Sequence, residues 1–108
     1  SAAYLSILER RAFLPTELHD QLKVRRILST GSPLRAELYP FAEKLVGRPV
    51  MVGSITGGSD LCSLFSAHNE TLPVYAGETQ CFGLGMDVDV FDAQGQSVPN
   101  MVEGDLVC

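Results

Sequence analysis

The residues whose types best suit ligand binding are Gly57, Gly58, Ser59 and Asp60, which follow an apolar run at residues 50–55 and Thr56. Ligands of open α/β sheets bind outside the carboxyl ends of strands, and glycines there permit positive φ and close backbone approach. The hydroxyl of Ser59 could bind a phosphate, and the carboxylate of Asp60 a divalent cation. Two interpretations are open: a phosphate and metal site, or a tight turn in which Ser59 and Asp60 cap a following helical turn.

A second candidate segment follows an earlier strand. Residues 24–30 have a strand-like pattern that ends at Gly31. Ser32 and Pro33 then have the chemistry of a helix start, with serine as N-cap and proline at the first helical position. The predicted helix carries one apolar stripe, which consists of Leu34, Leu38, Phe41, Ala42, Leu45 and Val46.

Pro40 is the one residue that disfavours a regular helix here, because a proline in a helix interior removes a hydrogen bond and forces a kink. The helix is therefore either kinked there or regular only from about Tyr39 onward. Gly47 is suited to end it, and residues 50–55 form the next strand. Strand, helix and strand make a βαβ unit, which predicts two parallel strands and a right-handed crossover.

Both candidate segments are predicted to leave the same edge of this parallel pair. Residues 29–32 follow the first strand, and residues 56–60 follow the second. A nucleotide site at strand ends requires this shared placement. Any other α/β domain would also place loops at this edge, so the pattern alone does not identify a ligand.

The predicted class is α/β, with an α/β part at residues 1–65 and a β-rich part of the same domain at residues 66–108. Helical spacing predicts an N-terminal helix, and alternation and turn residues predict β structure toward the C-terminus. The further predicted elements are a helix at 4–13, helical turns at 16–22 and 61–65, a loop at 66–71, strands at 78–82, 86–91 and 104–108, and a hairpin turn at 92–96.

Composition excludes some functions. The 108 residues carry a net charge of −5, whereas binding to nucleic-acid backbones needs clustered lysine and arginine. No apolar run reaches membrane-spanning length and no signal peptide is recognisable, so neither nucleic acid nor membrane is an expected partner. The three cysteines lack metal-binding spacing, and their odd number fits reduced thiols in the cytoplasm.

Two other sets of polar residues, the two histidines and three aspartates, are interpreted as surface features. His19 and His68 lie in polar stretches and are predicted to be solvated side chains rather than ligands. Asp87, Asp89 and Asp92 resemble part of a calcium site, but no acidic loop of the required length encloses them. We therefore expect them on the solvated face of a strand and its turn.

The segment Gly57-Gly58-Ser59-Asp60 resembles the Gly-x-Thr-Glu motif of the acyl-adenylate-forming (AMP-binding) superfamily, the acyl-CoA synthetases and their relatives. Three further segments, residues 29–34, 72–81 and 83–86, make the sequence similar to the acetoacetate-activating ligases of that superfamily. The resemblance extends from about Tyr4 to Cys108. It implies a piece of the large N-terminal domain of such a ligase.

The resemblance also implies an activity and residue roles. These enzymes activate a carboxylic acid with ATP and Mg²⁺ to an acyl-adenylate, then transfer the acyl group to coenzyme A. By resemblance, Gly31, Ser32 and Pro33 would lie along the adenine ring. The implied roles at residues 56–60 are nucleotide contact by Thr56, acyl contact by Gly57 and Gly58, α-phosphate contact and catalysis by Ser59, and magnesium binding and catalysis by Asp60.

Several departures from the superfamily pattern qualify these roles. Thr56 stands where most members have an aromatic residue, and Ser59 and Asp60 replace threonine and glutamate. The 108 residues contain no phosphate loop with its lysine, no ribose-binding aspartate and no lysine-bearing C-terminal domain. We therefore expect an internal piece that is inactive without the rest of its parent ligase. The alternatives are a ligase for acetate or propionate, or a non-enzymatic α/β binding module.

Overall fold

The computed structural model describes all of residues 1–108 and has the predicted mixed α/β class. Two α-helices and a short 3-10 helix accompany three small sheets. In chain order the elements are α1 (Ala2–Arg10), the 3-10 helix (Thr16–Leu18), β1 (Arg26–Ser29), α2 (Leu38–Val46), β2 (Met51–Ser54), β3 (Thr56–Gly58), β4 (Ser63–Ala67), β5 (Cys81–Phe82), β6 (Asp89–Phe91) and β7 (Asp105–Val107). None of the helices has the length and apolar character that crossing a membrane requires.

The predicted βαβ unit is confirmed. Strands β1 and β2 pair in parallel, with Arg26 opposite Met51 and Ser29 opposite Ser54. Helix α2 connects them and ends at Gly47, which takes the left-handed conformation with φ of 78°. A left-handed C-terminal residue is typically glycine, because glycine has no Cβ to be strained there.

The start of α2 differs from the sequence prediction. The helix begins at Leu38 and its N-cap is Glu37, so Ser32 is not the cap and Pro33 is not the first helical residue. Pro40 is the third residue of the helix, where a backbone N–H would have no intrahelical acceptor. The proline therefore costs no hydrogen bond, and of the two interpretations the later start near Tyr39 is correct.

The hydrophobic core lies between the two α-helices and the parallel strands. Helix α1 begins after Ser1, whose Oγ accepts a hydrogen bond from the backbone N–H of Tyr4 at 3.3 Å. It contributes Ala2 and Leu5, and α2 contributes the completely buried Leu38. The other core members are Leu34, Tyr39, Ala42, Val46, Val50 and Val52. All nine lie in the first half of the chain.

After β2 the chain enters a second sheet within one residue, Ile55. This antiparallel sheet has the order β3–β4–β5, with a register shift between Thr56 and Gly57. Residues 61–65 were predicted to form a helical turn, and that prediction is wrong: residues 59–62 form the β3–β4 turn and the apolar run then joins β4. A short apolar run has no periodicity that separates helix from strand. Pairing on both sides of β4 decides in favour of the strand.

The third sheet pairs β6 with β7 in antiparallel fashion, with Phe91 opposite Asp105. The predicted hairpin turn at residues 92–96 is confirmed. One carboxylate oxygen of Asp92 accepts hydrogen bonds from the backbone N–H groups of Gln94 and Gln96, each at 2.9 Å. Such side-chain bonds to the following backbone are a common reason for aspartate in turns.

Both histidines are half-buried rather than solvated, which corrects the sequence prediction. His19 packs against Gly47, where any Cβ would collide with its ring. His68 packs in the same way over Gly53 on β2. The Nε2 atoms of both rings are shielded from solvent and have no hydrogen-bond partner. Gly47 at the C-cap of α2 and Gly53 on β2 thus leave the space that these rings occupy, and polar flanking sequence does not reveal this packing.

The molecule is elongated, with a Cα radius of gyration of 16.1 Å and extents of 55 × 27 × 25 Å. A compact domain of about 100 residues has a radius of gyration near 13 Å. Only 13 of the 108 residues are buried. Large apolar side chains such as Leu84 and Met101 are fully exposed, so much apolar surface is left uncovered.

Candidate functional site

An open cleft of about 480 Å³ lies where β1 and β2 end. The loop after β1 forms one side, and the end of β2 with the start of β3 forms another. The lining residues are Thr30, Gly31, Ser32, Pro33, Leu34, Ser54, Ile55, Thr56, Gly57, Gly77 and Thr79. The structure therefore brings together Gly31, Ser32, Pro33, Thr56 and Gly57, five of the residues proposed from sequence.

The parallel pairing of β1 and β2 explains why these segments meet. Ser29 and Ser54 are the last paired residues, and the backbone N–H of Ile55 donates a hydrogen bond to the carbonyl of Ser29 at 2.9 Å. The two strands therefore end at the same level. Beyond them, Gly31 adopts φ of 89° and turns the first segment across the strand ends. Ser29 itself is only 1% exposed and lies beneath the cleft.

The cleft is lined by several hydroxyl side chains but by no charged one. Five of its eleven lining residues carry hydroxyls, and only two are hydrophobic. Hydroxyls both donate and accept hydrogen bonds without a net charge. The lining is therefore suited to a neutral group rich in donors and acceptors, such as a nucleoside, rather than to a phosphate chain.

Ser59 and Asp60 lie outside this cleft, together with Gly58. They occupy the exposed turn between β3 and β4, where the carbonyl of Ser59 accepts a hydrogen bond from the backbone N–H of Cys62 at 3.2 Å. Thr56 lines the cleft, and an extended strand advances about 3.3 Å per residue, so Ser59 lies about 10 Å farther along the chain. The sequence pattern placed all five residues of 56–60 in one loop, whereas the structure makes the first three a strand.

The two glycines of this segment also differ in what requires them. A Cβ at Gly57 would collide with the carbonyl oxygen of Ser63 on the partner strand, whereas a Cβ at Gly58 would meet nothing within 4 Å. Neither glycine has a positive φ. The close backbone approach predicted at Gly57 is therefore made by the chain's own hairpin, and the positive φ expected from the glycine pair is absent.

Asp60 is the residue proposed to bind a metal. The structure has no group of three or more His, Cys, Asp or Glu side chains that could hold a metal ion. Magnesium in nucleotide sites is commonly bound by one or two carboxylates together with the phosphates of the substrate. One exposed carboxylate at the tip of a turn fits that kind of shared coordination and does not fit a site made of protein ligands alone.

Gly77 and Thr79 also line the cleft, although no sequence pattern assigns them a role. They belong to the loop of residues 75–80 and lie 21 and 23 residues after Thr56. The segment that contains them carries the family resemblance, but neither strand periodicity nor glycine spacing connects it with the ends of β1 and β2. Only the tertiary arrangement brings this loop to the cleft.

The sequence is similar to curated acetoacetyl-CoA synthetases from distant organisms. It is 43% identical over 107 residues to that of Macaca fascicularis and 42% identical over 107 residues to that of Mus musculus, covering 99% of this chain in both cases. Identity to the acetoacetyl-coenzyme A synthetase of Rhizobium meliloti (strain 1021) is 39% over 108 residues, the whole chain. No family model and no solved structure matches the chain.

These alignments cover 16% of each relative, so the chain spans about one sixth of the length of the curated proteins that it matches. The similarity confirms the resemblance found in the motifs and includes the cleft and the β3–β4 turn. Over nearly its whole length, this chain is thus related in sequence to one segment of the acetoacetyl-CoA synthetases.

Proposed function

We propose that this chain forms part of the nucleotide site of a cytoplasmic acyl-CoA ligase that activates acetoacetate with ATP and Mg²⁺. The main support is that the loops after β1 and β2 line one cleft, in a chain that is related to acetoacetyl-CoA synthetases over 99% of its length. The acid is inferred from the names of the relatives. The rest of the parent ligase would supply the remaining groups.

The proposed reaction has two steps. A carboxylate oxygen of acetoacetate attacks the α-phosphorus of ATP, and pyrophosphate leaves with its electron pair. The thiolate of coenzyme A then attacks the acyl carbon of the adenylate, the bond from that carbon to the phosphate oxygen breaks, and AMP leaves. Both steps develop charge on oxygen, which positioned donors and cations stabilise.

The chain divides the nucleotide between two places in this proposal. The uncharged cleft holds the nucleoside, with Gly31, Ser32 and Pro33 on one side and Thr56 on another. Ser59 and Asp60, in the β3–β4 turn about 10 Å farther along the chain than Thr56, bind the phosphates that extend from the nucleoside. A magnesium ion shared between Asp60 and the phosphates would offset the negative charge there.

The 108 residues alone are proposed to be inactive. Adenylation depends on several cations and donors held in place together, and loss of one such contact commonly lowers the rate by about 10²–10³. This chain offers one carboxylate, one nearby hydroxyl and backbone amides at its turn. Formation of acetoacetyl-CoA from acetoacetate, ATP and coenzyme A by the purified chain would contradict this part of the proposal.

Magnesium-dependent ATP binding tests the proposal. We expect isothermal titration calorimetry to show that ATP binds the chain more tightly with Mg²⁺ than without it. Asp60→Asn should lower the affinity for ATP about tenfold when Mg²⁺ is present and leave it unchanged when Mg²⁺ is absent. Asp20→Asn is the matched control, because Asp20 is also exposed but lies far from the cleft in sequence. Equal effects of the two substitutions would contradict the role of Asp60, and no binding of ATP would contradict the nucleotide site.

A further inference from the structure

Thr79 lines the cleft from the loop of residues 75–80. It is exposed, and its hydroxyl makes no hydrogen bond within the chain, in contrast to the hydroxyl of Thr71, which bonds to Asn69 at 2.8 Å. Thr79 also lines a smaller depression of about 270 Å³. It therefore offers a free donor and acceptor to a ligand in the larger cleft.

Helix α2 holds the residue before Thr79 in place. Tyr39, only 7% exposed, donates a hydrogen bond from its hydroxyl to the carbonyl of Glu78 at 3.3 Å. The backbone N–H of Glu78 donates to the carbonyl of Tyr75 at 3.1 Å and closes a turn. Within that turn Gly77 has φ of 90° and faces Ala36. A buried side chain thus fixes the loop relative to the core.

Gln80 fixes the residue after Thr79. Its Oε1 accepts a hydrogen bond from the backbone N–H of Asn69 at 2.9 Å. Its Nε2 lies within hydrogen-bonding distance of the carbonyls of Asn69, Leu72 and Pro73, at 3.1–3.2 Å. The side chain therefore binds the loop of residues 69–73 to the strand that follows. Thr79 lies between two restrained neighbours, although its own side chain is unbonded.

We infer that Thr79 is a ligand-contacting residue that binds the nucleoside through its hydroxyl, in the cleft that Gly31, Ser32 and Pro33 also line. The inference rests on the proposed function and deepens it by adding a contact residue from the loop of residues 75–80. A free hydroxyl on a restrained backbone is already positioned for a bond, so little conformational entropy is lost when the ligand binds. Because no lining residue is charged, the contact is to an uncharged group.

The test compares Thr79→Val, which removes the hydroxyl at nearly constant volume, with Thr79→Ser, which retains it. Titration of the 108-residue chain with adenosine and with AMP is expected to show about tenfold weaker binding for Thr79→Val and a change within about twofold for Thr79→Ser. Binding of magnesium tripolyphosphate, which has no nucleoside, is expected to be unchanged in both variants. Thr16→Val, an exposed threonine on the 3-10 helix, controls for the substitution itself.

The outcomes separate this inference from the proposed function. Wild-type binding of adenosine that is unaffected by Thr79→Val would overturn the role of Thr79 and leave the nucleotide site standing. Equal weakening of adenosine and tripolyphosphate binding would show a structural effect and would also overturn the role. Absence of both adenosine and Mg-ATP binding to the wild-type chain would overturn the proposed function and the inference together.

Discussion

The two halves of this chain are organised in different ways. Among residues 1–53, twelve are buried, and they include all nine members of the hydrophobic core. Among residues 54–108, only Gly83 is buried, and it has no side chain to pack. The first half therefore has its own core, whereas the second half consists of paired strands and turns with little apolar burial.

This difference shows how the cleft is built. The loop after β1 comes from the half with the core, whereas the other lining residues come from the half without one: Ser54, Ile55, Thr56, Gly57, Gly77 and Thr79. One side of the cleft is therefore held by apolar packing. The other side depends on specific hydrogen bonds, above all those of Tyr39 and Gln80. Substitutions in the two halves should have effects of different size and range.

The largest effect is expected from truncating the core. Leu38→Ala removes a completely buried side chain and should lower the free energy of unfolding by about 2–5 kcal/mol. Leu84→Ala removes the same atoms from a side chain that is 100% exposed, and should change the free energy of unfolding by less than about 0.5 kcal/mol. Urea denaturation measures both, and similar values for the two variants would contradict the division into halves.

The next effect is expected in the β3–β4 hairpin. Gly57→Ala places a Cβ against the carbonyl of Ser63, so the hairpin must shift, at a cost of about 1–3 kcal/mol. Gly58→Ala is the control, since nothing lies within 4 Å of that added methyl group. Amide spectra should show β3 and β4 disturbed in the first variant alone while the signals of α2 are retained. Unfolding of the whole chain by Gly57→Ala would show that the halves are not separable.

A smaller and more local effect is expected at Gln80. Gln80→Ala removes the side-chain hydrogen bonds that join residues 69–73 to the start of β5. It should lower the free energy of local opening in this region by about 1–2 kcal/mol. Hydrogen exchange at the backbone amide of Asn69 should therefore become about tenfold faster. The matched variant Gln94→Ala removes a side chain from the Asp92 turn that makes no hydrogen bond of its own. An unchanged exchange rate at Asn69 would refute the role of Gln80.

The smallest effect is expected from Tyr39→Phe. The substitution removes one hydrogen bond, to the carbonyl of Glu78, while the ring remains in the core, and should cost about 0.5–1.5 kcal/mol. Tyr75→Phe removes a hydroxyl from a side chain that is 62% exposed and should have no measurable effect. Thermal unfolding compares the two, and amide shifts at residues 77–79 should move only in Tyr39→Phe.

Local signals explain what the sequence predicted correctly. Gly47 ends α2, Asp92 forms its turn, and the apolar runs flanking α2 are the parallel strands, each because nearby residues determine the backbone. The errors arose where distant residues decide. Residues 61–65 form turn and strand because β3 and β5 pair with β4. Ser32 does not cap α2 because the loop after β1 continues to Glu37.

The candidate site shows the same limit. The joint placement of Gly31, Ser32, Pro33 and Thr56 followed from the strand order, which the sequence supplied. The separation of Asp60 from the cleft depends on the β3–β4 pairing, and the contribution of Thr79 depends on how a distant loop packs on α2. The spacing of residues along the chain predicts neither of these two features.

The most direct test of the central claim is a residue-resolved amide-shift titration of the isotope-labelled chain with Mg-ATP and with a non-hydrolysable acyl-adenylate mimic. A nucleotide bound in the cleft should shift residues 30–34 and 54–57 together with residues 77–79, and Mg-ATP should also shift Ser59 and Asp60. Shifts confined to other surfaces, or no shifts at millimolar ligand, would contradict a nucleotide site at the ends of β1 and β2.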